Sequence, residues 1–138
     1  MIDVGGTHIK VYPIGRRQPI KIDSGPAMTP KKMIQAVRTA VDGCRYDVVS
    51  LGYPGPVVHG KPLHNPVNLG AGWVGFDFQK AFGRPTKVIN YAAMQALGSY
   101  RGGRMLFLGL GISLGSALIV GVSDSLVECS DLVEPFFV

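Results

Sequence analysis

The sequence has little of what membrane-spanning, secreted and metal-clustering proteins depend on. Its 138 residues include no run of about 18–20 consecutive apolar residues, the length that a membrane-spanning helix needs. The N-terminus lacks the basic and then apolar pattern of a signal peptide. Only two cysteines are present, Cys44 and Cys129, and they lie far apart without metal-ligand spacing. This cysteine usage is typical of reduced thiols, so we expect a cytoplasmic protein with no membrane partner.

Acidic residues are also scarce, since nine of them stand against fourteen basic residues and leave a formal net charge of +5. The basic residues are scattered, and no basic helix carries interleaved aromatic residues. No zinc-finger or RNA-binding signature is present. We interpret the excess charge as a solvated basic surface and expect no nucleic-acid partner. An anionic substrate, such as a nucleotide or polyphosphate, is the alternative that the charge leaves open.

What the chain does contain is typical of one folded domain. Hydrophobic residues make up 46% of the sequence, which is enough for a core in a chain of this length. The 19 glycines and 10 prolines lie between apolar runs, and this placement indicates tight turns rather than a low-complexity segment.

The first 43 residues predict a hairpin, a third strand and a helix. The hairpin has a very short first strand, Ile2–Val4, a Gly-Gly turn and a second strand within His8–Pro13, and a third strand lies near Pro19–Ile22. Thr29 is a helix N-cap and Pro30 suits the first helical position. Five apolar residues then follow at helical spacing: Met33, Ile34, Val37, Ala40 and Val41. Gly43 is the expected terminator.

Strands and helices alternate over the rest of the chain, with a loop rich in Gly, Pro and Asn at residues 57–75. The predicted strands are Asp47–Gly52, Thr86–Ile89, Met105–Leu110 and Ser116–Val120, and the predicted helices are Phe76–Phe82 and Tyr91–Tyr100. This order predicts an α/β fold with a mixed sheet covered by helices.

The first glycine-rich turn carries residue types that suit a phosphate. Backbone N–H groups of Gly5 and Gly6 can approach an anion closely because no side chain intervenes. Thr7 adds a hydroxyl and Lys10 a positive charge. Asp3, at the end of a strand, suits a hydrated Mg²⁺, which prefers a carboxylate with waters and phosphate oxygens. The alternative is a glycine hairpin that binds nothing.

The octapeptide Asp-Val-Gly-Gly-Thr-His-Ile-Lys at residues 3–10 resembles the first phosphate motif of the ROK family of sugar kinases and repressors. Three later segments resemble that family in the same order. Residues 51–57 are similar to its Gly-x-Pro-Gly-Pro-Val segment, and residues 65–73 to its Asn-x-x-Asn-Leu…Gly-Trp sugar loop. Residues 88–98 resemble the strand and helix that carry its catalytic Asn-Asp pair.

The resemblance implies the N-terminal lobe of an actin-like ATPase, a ribonuclease H-like fold, over residues 1–120. Intact ROK proteins are roughly twice this length, so we expect that the second lobe is absent. The resemblance also leaves a homodimer open as one assembly of intact relatives. Residues 121–138 resemble nothing in the family and form an atypical tail. A frameshift followed by a premature stop is our hypothesis for its origin.

The resemblance also implies a reaction, in which the 6-hydroxyl of glucose or a similar hexose attacks the terminal phosphoryl group of ATP or polyphosphate with Mg²⁺. It assigns Gly55, Asn68 and Asn90 to the sugar. It assigns the phosphate to the first motif and to Gly111 and Gly115 of a second motif.

Three departures from the family pattern predict impaired activity. Tyr91 stands where the family has its aspartate base, and a phenol keeps its proton near neutral pH where a carboxylate can accept one. Ile112 and Ser113 replace the threonine and a glycine of the second phosphate motif. The zinc motif of the family is absent, and the three histidines do not replace it.

Two other functions follow from the same features. A non-catalytic sugar-binding fragment, or degenerate ROK protein, would retain Asn68 and Asn90 without the base. A ROK-type repressor would need a helix-turn-helix before the first phosphate motif, and this sequence begins at that motif. We therefore favour the hexose kinase lineage over the repressor.

Overall fold

A computed structural model describes residues 1–110 and 114–120 of the chain. Within them the backbone forms, in order, β1 (Ile2–Val4), β2 (His8–Val11), β3 (Ile20–Asp23), α1 (Pro30–Ala40), β4 (Val49–Tyr53), β5 (Val57–Val58), β6 (Lys61–Pro62), α2 (Phe78–Phe82), β7 (Thr86–Asn90), α3 (Tyr91–Ser99), β8 (Arg104–Leu110) and β9 (Leu114–Val120). The predicted α/β class, with a mixed sheet and helices, is confirmed.

The main sheet has five strands in the order β3-β2-β1-β4-β7. The strands β1, β2 and β3 are antiparallel neighbours, as the hairpin prediction required. The strands β1, β4 and β7 run parallel, with Asp3 opposite Gly52 and Gly52 opposite Ile89. The carboxyl ends of three parallel strands therefore meet at one edge of the sheet.

The two faces of this sheet are covered by different elements. Alternate residues such as Val4, Ile9 and Leu51 are buried on one face, in a core shared with Met33 of α1 and with Trp73. The intervening residues of β1 and β4 lie on the other face, where Met94 of α3 fills the space above Gly52. The close approach of α3 leaves no room for a side chain at that glycine.

The helix α1 begins as predicted and ends earlier. The Thr29 hydroxyl accepts a hydrogen bond from the Lys32 N–H at 3.4 Å, and Pro30 follows as the first helical residue. The last helical residue is Ala40, and Val41 caps the helix, so Gly43 does not end it directly. Gly43 instead takes a positive φ of 75° in the turn that follows.

Most predicted strands shift by one or two residues at an end, and the predicted loop and second helix differ further. The loop at residues 57–75 contains the short antiparallel pair β5–β6, whose turn includes His59. The second helix begins at Phe78 rather than Phe76 because Asp77 caps it by accepting the Lys80 N–H at 2.8 Å. A capping carboxylate satisfies an N–H group that the first helical turn leaves unpaired.

The strands β8 and β9 form a separate two-stranded sheet that packs on α3. The contact is made by small and aliphatic residues, among them Ala93, Ala96, Ala117 and Ile119. The helix α3 therefore lies between the main sheet and this hairpin. None of the described helices is long and apolar enough to cross a membrane.

The predicted division into a lobe at residues 1–120 and a tail at residues 121–138 stays a prediction. The tail lies outside the described residues, and so do Gly111, Ile112 and Ser113 of the second predicted phosphate motif.

Candidate functional site

The candidate site lies at the edge where the parallel strands β1, β4 and β7 end. Each strand is followed directly by a segment that the sequence singled out: the Gly5-Gly6 turn, the Pro54-Gly55 turn and Tyr91. Ligands of open α/β sheets bind in the crevice outside the carboxyl ends of such strands. The topology therefore gathers three predicted segments at a place suited to a ligand.

Gly5 is held by the hairpin turn itself. Its N–H donates to the His8 carbonyl at 3.1 Å, and a Cβ atom at this position would lie 2.6 Å from the same oxygen. Its carbonyl accepts a hydrogen bond from the Ser24 hydroxyl at 2.7 Å. In the described part of the chain, the N–H groups of Gly6 and Thr7 make no turn or loop hydrogen bond to a backbone carbonyl. These two residues are the ones in the turn that remain for an anion.

Asp3 and Lys10 are direct cross-strand neighbours in the β1–β2 pair. Burial raises the pKa of the Asp3 carboxyl, and the nearby Lys10 charge lowers it and so offsets part of that effect. Burial acts in this direction because a low-dielectric environment disfavours the ionised carboxylate. A cation at this place would lower the pKa and so favour the ionised carboxylate.

Asn68 lies against the first glycine-rich turn. A Cβ atom on Gly6 would stand 3.0 Å from the Asn68 Cβ and 3.5 Å from its Nδ2. The Asn68 side chain is exposed, so its amide is accessible to a ligand. The structure thus brings a predicted sugar residue and a predicted phosphate residue into contact, although 62 residues separate them in the sequence.

The loop that carries Asn68 is fixed by hydrogen bonds on both sides. The Asn65 Oδ1 accepts the Trp73 N–H at 2.9 Å and closes the loop on itself. The Gly70 N–H donates to the Met28 carbonyl at 2.9 Å, which joins the loop to the segment before α1. These bonds place Asn68 without using its own side chain.

Aromatic packing in the core supports the buried side of the same loop. Trp73 is fully buried, and its ring centroid lies 5.8 Å from that of Tyr53 and 6.3 Å from that of Phe78. The Tyr53 hydroxyl donates to the His64 carbonyl at 2.7 Å. Burial raises the pKa of the Tyr53 phenol, so it stays a hydrogen-bond donor at every physiological pH.

Asn90 joins two parts of the site. Its Oδ1 accepts the N–H groups of Ala92 and Ala93 at 2.9 and 3.3 Å and so caps α3. Its Nδ2 donates to the Gly55 carbonyl at 2.9 Å. Since an amide NH₂ has two hydrogens, one remains for a ligand. Asn90 therefore holds the Gly55 turn in place as well as lying at the site.

Tyr91 extends from the main sheet to the β8–β9 hairpin. Its Cα is 3.4 Å from where a Cβ on Gly52 would stand, beside the register position of Asp3. At its other end, a Cβ on Gly115 would lie 2.7 Å from the Tyr91 Oη. Tyr91 therefore occupies the space between Gly52 of β4 and Gly115 of the second predicted phosphate motif. The roles predicted for Gly111, Ile112 and Ser113 concern residues outside the described ranges.

The described residues contain no cluster of three or more His, Cys, Asp or Glu side chains that would hold a metal. Asp3 is a single, half-buried carboxylate at the site. Mg²⁺ often binds through one carboxylate together with waters and substrate phosphates, so Asp3 fits a Mg²⁺ that arrives with a phosphate. The histidines lie elsewhere: His8 is 3.6 Å from Asp23 at the surface, and His59 and His64 are exposed in the 57–75 loop.

Sequence reasoning missed the residues that hold the site in position. Ser24, Tyr53, Asn65 and Met94 each fix a turn, a loop or a close contact, and none was predicted to do so. Local signals exist for two of them, since Ser24-Gly25 and Asn65-Pro66 are typical turn dipeptides. No local signal shows which distant carbonyl or N–H such a side chain will meet.

Comparisons with known proteins follow this geometry. No protein-family model matches the sequence, and a search of the curated proteins finds no match either. Among solved structures, a ROK hexokinase from Thermus thermophilus matches 87% of this chain at 24% identity with a TM-score of 0.65. The chain has the fold of ROK proteins. A ROK family protein from Streptococcus pneumoniae TIGR4, in complex with sucrose, matches 86% of the chain at 20% identity with a TM-score of 0.64.

The matched part of each ROK structure is less than half of it. This chain spans 46% of the Thermus chain and 44% of the Streptococcus chain. The fold predicted from the resemblance is therefore confirmed for a portion of a ROK architecture.

Proposed function

We propose that this chain belongs to the ROK sugar-kinase lineage and binds glucose or a similar hexose beside a phosphoryl donor, with impaired phosphoryl transfer. The observation that carries the proposal is the contact between Asn68 and Gly6. It sets an exposed amide, suited to a sugar hydroxyl, beside a turn suited to a phosphate. A phosphoryl transfer site needs its acceptor and donor this close.

The sugar side of the site consists of three residues with distinct tasks. Asn68 offers an amide that both donates to and accepts from hydroxyl groups. Asn90 offers its one remaining amide hydrogen, and its other bonds hold the Gly55 turn at the rim of the site. A hexose presents several hydroxyls in a fixed arrangement, so two oriented amides suffice to orient its ring.

The phosphate side consists of Gly6, Thr7, Lys10 and Asp3, with Gly115 across the site. The Gly6 and Thr7 N–H groups and the Thr7 hydroxyl would donate to phosphate oxygens. Asp3 would hold a Mg²⁺ bound to ATP or polyphosphate, and that ion neutralises phosphate charge when it is present. The resemblance to ROK kinases supports both donors, and the net charge of +5 agrees with a polyanionic one.

Tyr91 is the reason for proposing impairment. Its phenol cannot accept the acceptor hydroxyl's proton near neutral pH, and it also fills the space beside Gly115. General-base catalysis contributes about 10²–10⁴-fold in enzymes, so its loss alone predicts a slow chain. Binding and transfer are therefore expected to be separable here.

Thermal unfolding with and without glucose tests the binding part of the proposal. A ligand that binds the native state raises the melting temperature with concentration. We expect glucose to do so in the unchanged chain and not in Asn68→Ala. Val67→Ala is the matched control, because Val67 is 97% exposed and adjacent in the same loop. No shift with the unchanged chain at high glucose would refute hexose binding.

A coupled assay for glucose 6-phosphate tests the impairment. The unchanged chain is expected to give background turnover with ATP and with polyphosphate. Tyr91→Asp restores a carboxylate and is expected to raise turnover, while Tyr91→Asn restores space without a base and is not. Turnover well above background in the unchanged chain contradicts the impairment.

The position of Tyr91 also favours a second candidate, a non-catalytic sugar-binding fragment. In that case glucose binds, and Tyr91→Asp leaves turnover at background with either donor. We further propose a cytoplasmic location, on the basis of the cysteine usage, and homodimers for longer relatives of the chain.

A further inference from the structure

A second surface of the molecule combines features of a binding site, and none of its lining residues belongs to the candidate site. A groove of about 380 Å³ runs between α1 and α2. Its apolar part consists of Ile34, which is buried, and of the half-buried Phe76 and Ala81. Its exposed lining includes Lys31, Gln35 and Arg38. The groove thus combines an apolar floor with two cationic side chains.

The two cations are not neutralised within the groove. Among the described residues no carboxylate lines the groove, and the one ion pair within 4.0 Å is His8–Asp23, which involves neither cation. Arg38 donates one hydrogen bond, from Nη2 to the Ala81 carbonyl at 2.6 Å, which ties α1 to α2. A guanidinium has five N–H donors, so most of its capacity is unused by that bond.

The chemistry of the lining selects between kinds of ligand. An inorganic phosphate or a polyphosphate would be attracted by the two cations. Contact with the apolar floor would remove water from its charged oxygens without replacing those hydrogen bonds, and this costs binding free energy. A neutral apolar molecule would leave the cations without a counter-charge. We propose that this groove binds a small organic anion with an apolar body, its charge held by Lys31 and Arg38 and its body on Ile34, Phe76 and Ala81.

The proposed groove shares no lining residue with the hexose site. The helix α1 packs on the core side of the main sheet, through Ile34 and Val37. The hexose site lies at the strand ends, and α3 covers the opposite face of the sheet. The two sites share no residue and are tested with different ligands, so the two proposals fail separately.

Calorimetric titration with naphthoate, an aromatic carboxylate, tests the proposal. Two matched probes separate its parts: naphthalenemethanol keeps the apolar body without charge, and acetate keeps the charge without the body. We expect naphthoate to bind more tightly than either probe. Saturating glucose should not change its affinity.

Two pairs of exposed substitutions locate the binding. Lys31→Gln removes a cation from the groove, and Lys32→Gln is its control because Lys32 does not line the groove. Exposed ion pairs are worth about 0.2–1 kcal/mol, so Lys31→Gln should weaken naphthoate binding by about 1.4- to fivefold. Gln35→Glu adds a carboxylate to the groove and should weaken naphthoate binding more than Lys31→Gln does. Gln79→Glu is its control, because Gln79 lines a different groove beyond α2, and it should leave naphthoate binding unchanged.

The outcomes are decisive because all four substitutions lie at exposed positions. Weakening by Lys31→Gln and Gln35→Glu, with both controls unchanged, supports the groove. Absence of naphthoate binding overturns the proposal. So does acetate or polyphosphate binding as tightly as naphthoate, or equal weakening by all four variants.

Discussion

Two regions that contact different sides of α3 are built in different ways. At the strand ends of the main sheet, side chains tie distant backbone segments together: Ser24 to Gly5, Tyr53 to His64, Asn65 to Trp73 and Asn90 to Gly55. The described residues of the β8–β9 hairpin make no side-chain hydrogen bond, and the nearest such bonds lie within residues 100–103, which precede β8. Its position depends on the packing of small residues against α3.

The outward face of the hairpin differs as well. Leu106, Leu108 and Leu110 of β8 are 62%, 57% and 89% exposed, whereas large apolar residues of the main sheet are buried on its core face. Isolated two-stranded hairpins are marginally stable. The proposed sugar side of the candidate site is therefore held by its own hydrogen bonds, while Gly115 of the proposed phosphate side is positioned by the packing of the hairpin on α3.

The largest expected effect comes from the core of the main sheet. Leu51 is fully buried there, and Leu51→Ala should lower the free energy of unfolding by about 2–5 kcal/mol. Ile119→Ala in the hairpin is the matched change. We expect it to reduce amide protection from hydrogen exchange mainly within β8 and β9, because local opening needs only the contact with α3. Equal loss of protection in both sheets would remove the distinction between the regions.

A smaller effect is expected at the tie between β7 and the Gly55 turn. Asn90→Ala removes a helix cap and the bond to Gly55, and we expect a loss of about 1–3 kcal/mol in urea unfolding. Asn90→Asp keeps an oxygen for the cap and loses the donor to Gly55. It should therefore recover part of the stability without recovering glucose binding. Full recovery of both contradicts the role of the Gly55 bond.

The contact between Tyr91 and Gly115 provides a third test, now of the link between the regions. Gly115→Ala adds a methyl group 2.7 Å from the Tyr91 Oη, which the phenol relieves by turning towards solvent. We expect a loss of about 1 kcal/mol, at the low end for overpacking. In the Tyr91→Ala background the same change should cost less, because only the contact with the Ala92 Cβ at 3.2 Å then remains. A double-mutant cycle measures this coupling, and additive effects would show that the contact is absent.

The smallest effect concerns Asp3 and pH. The pKa of its carboxyl is raised by burial above the ordinary value of 3.8, so the native state binds its proton more tightly than the unfolded state. Stability from this residue is present at low pH and is lost as pH rises through the native pKa. Between the unfolded and native pKa values, the free energy of unfolding of Asp3→Asn should therefore rise relative to that of the unchanged chain. Above the native pKa, the difference between the two should stay constant. Urea unfolding at a series of pH values measures the difference, and a relative loss with rising pH would reverse our assignment.

Several elements were predictable because their signals are local. Thr29 and Pro30 mark the start of α1, and the Gly5-Gly6 turn marks the hairpin, since caps and turns depend on neighbours a few residues away. The bounds that failed had local competitors: Asp77 caps α2 two residues later than the apolar pattern began, and Val41 caps α1 before Gly43. The short β5–β6 pair was missed because two-residue strands have no periodicity to detect.

The same distinction between local signals and distant contacts applies to the candidate site. The sequence by itself determined which residue types the site contains: the Gly5-Gly6 and Pro54-Gly55 turns, two asparagines at positions 68 and 90, and a tyrosine where the family has a carboxylate. Only the tertiary structure decided that Asn68 contacts Gly6 and that Tyr91 contacts Gly115. It also decided that the Asn90 amide forms hydrogen bonds mainly with backbone groups. These contacts join residues far apart in the chain, and their geometry depends on strand register and on the close packing of α3 at Gly52. No periodicity or local propensity carries that information.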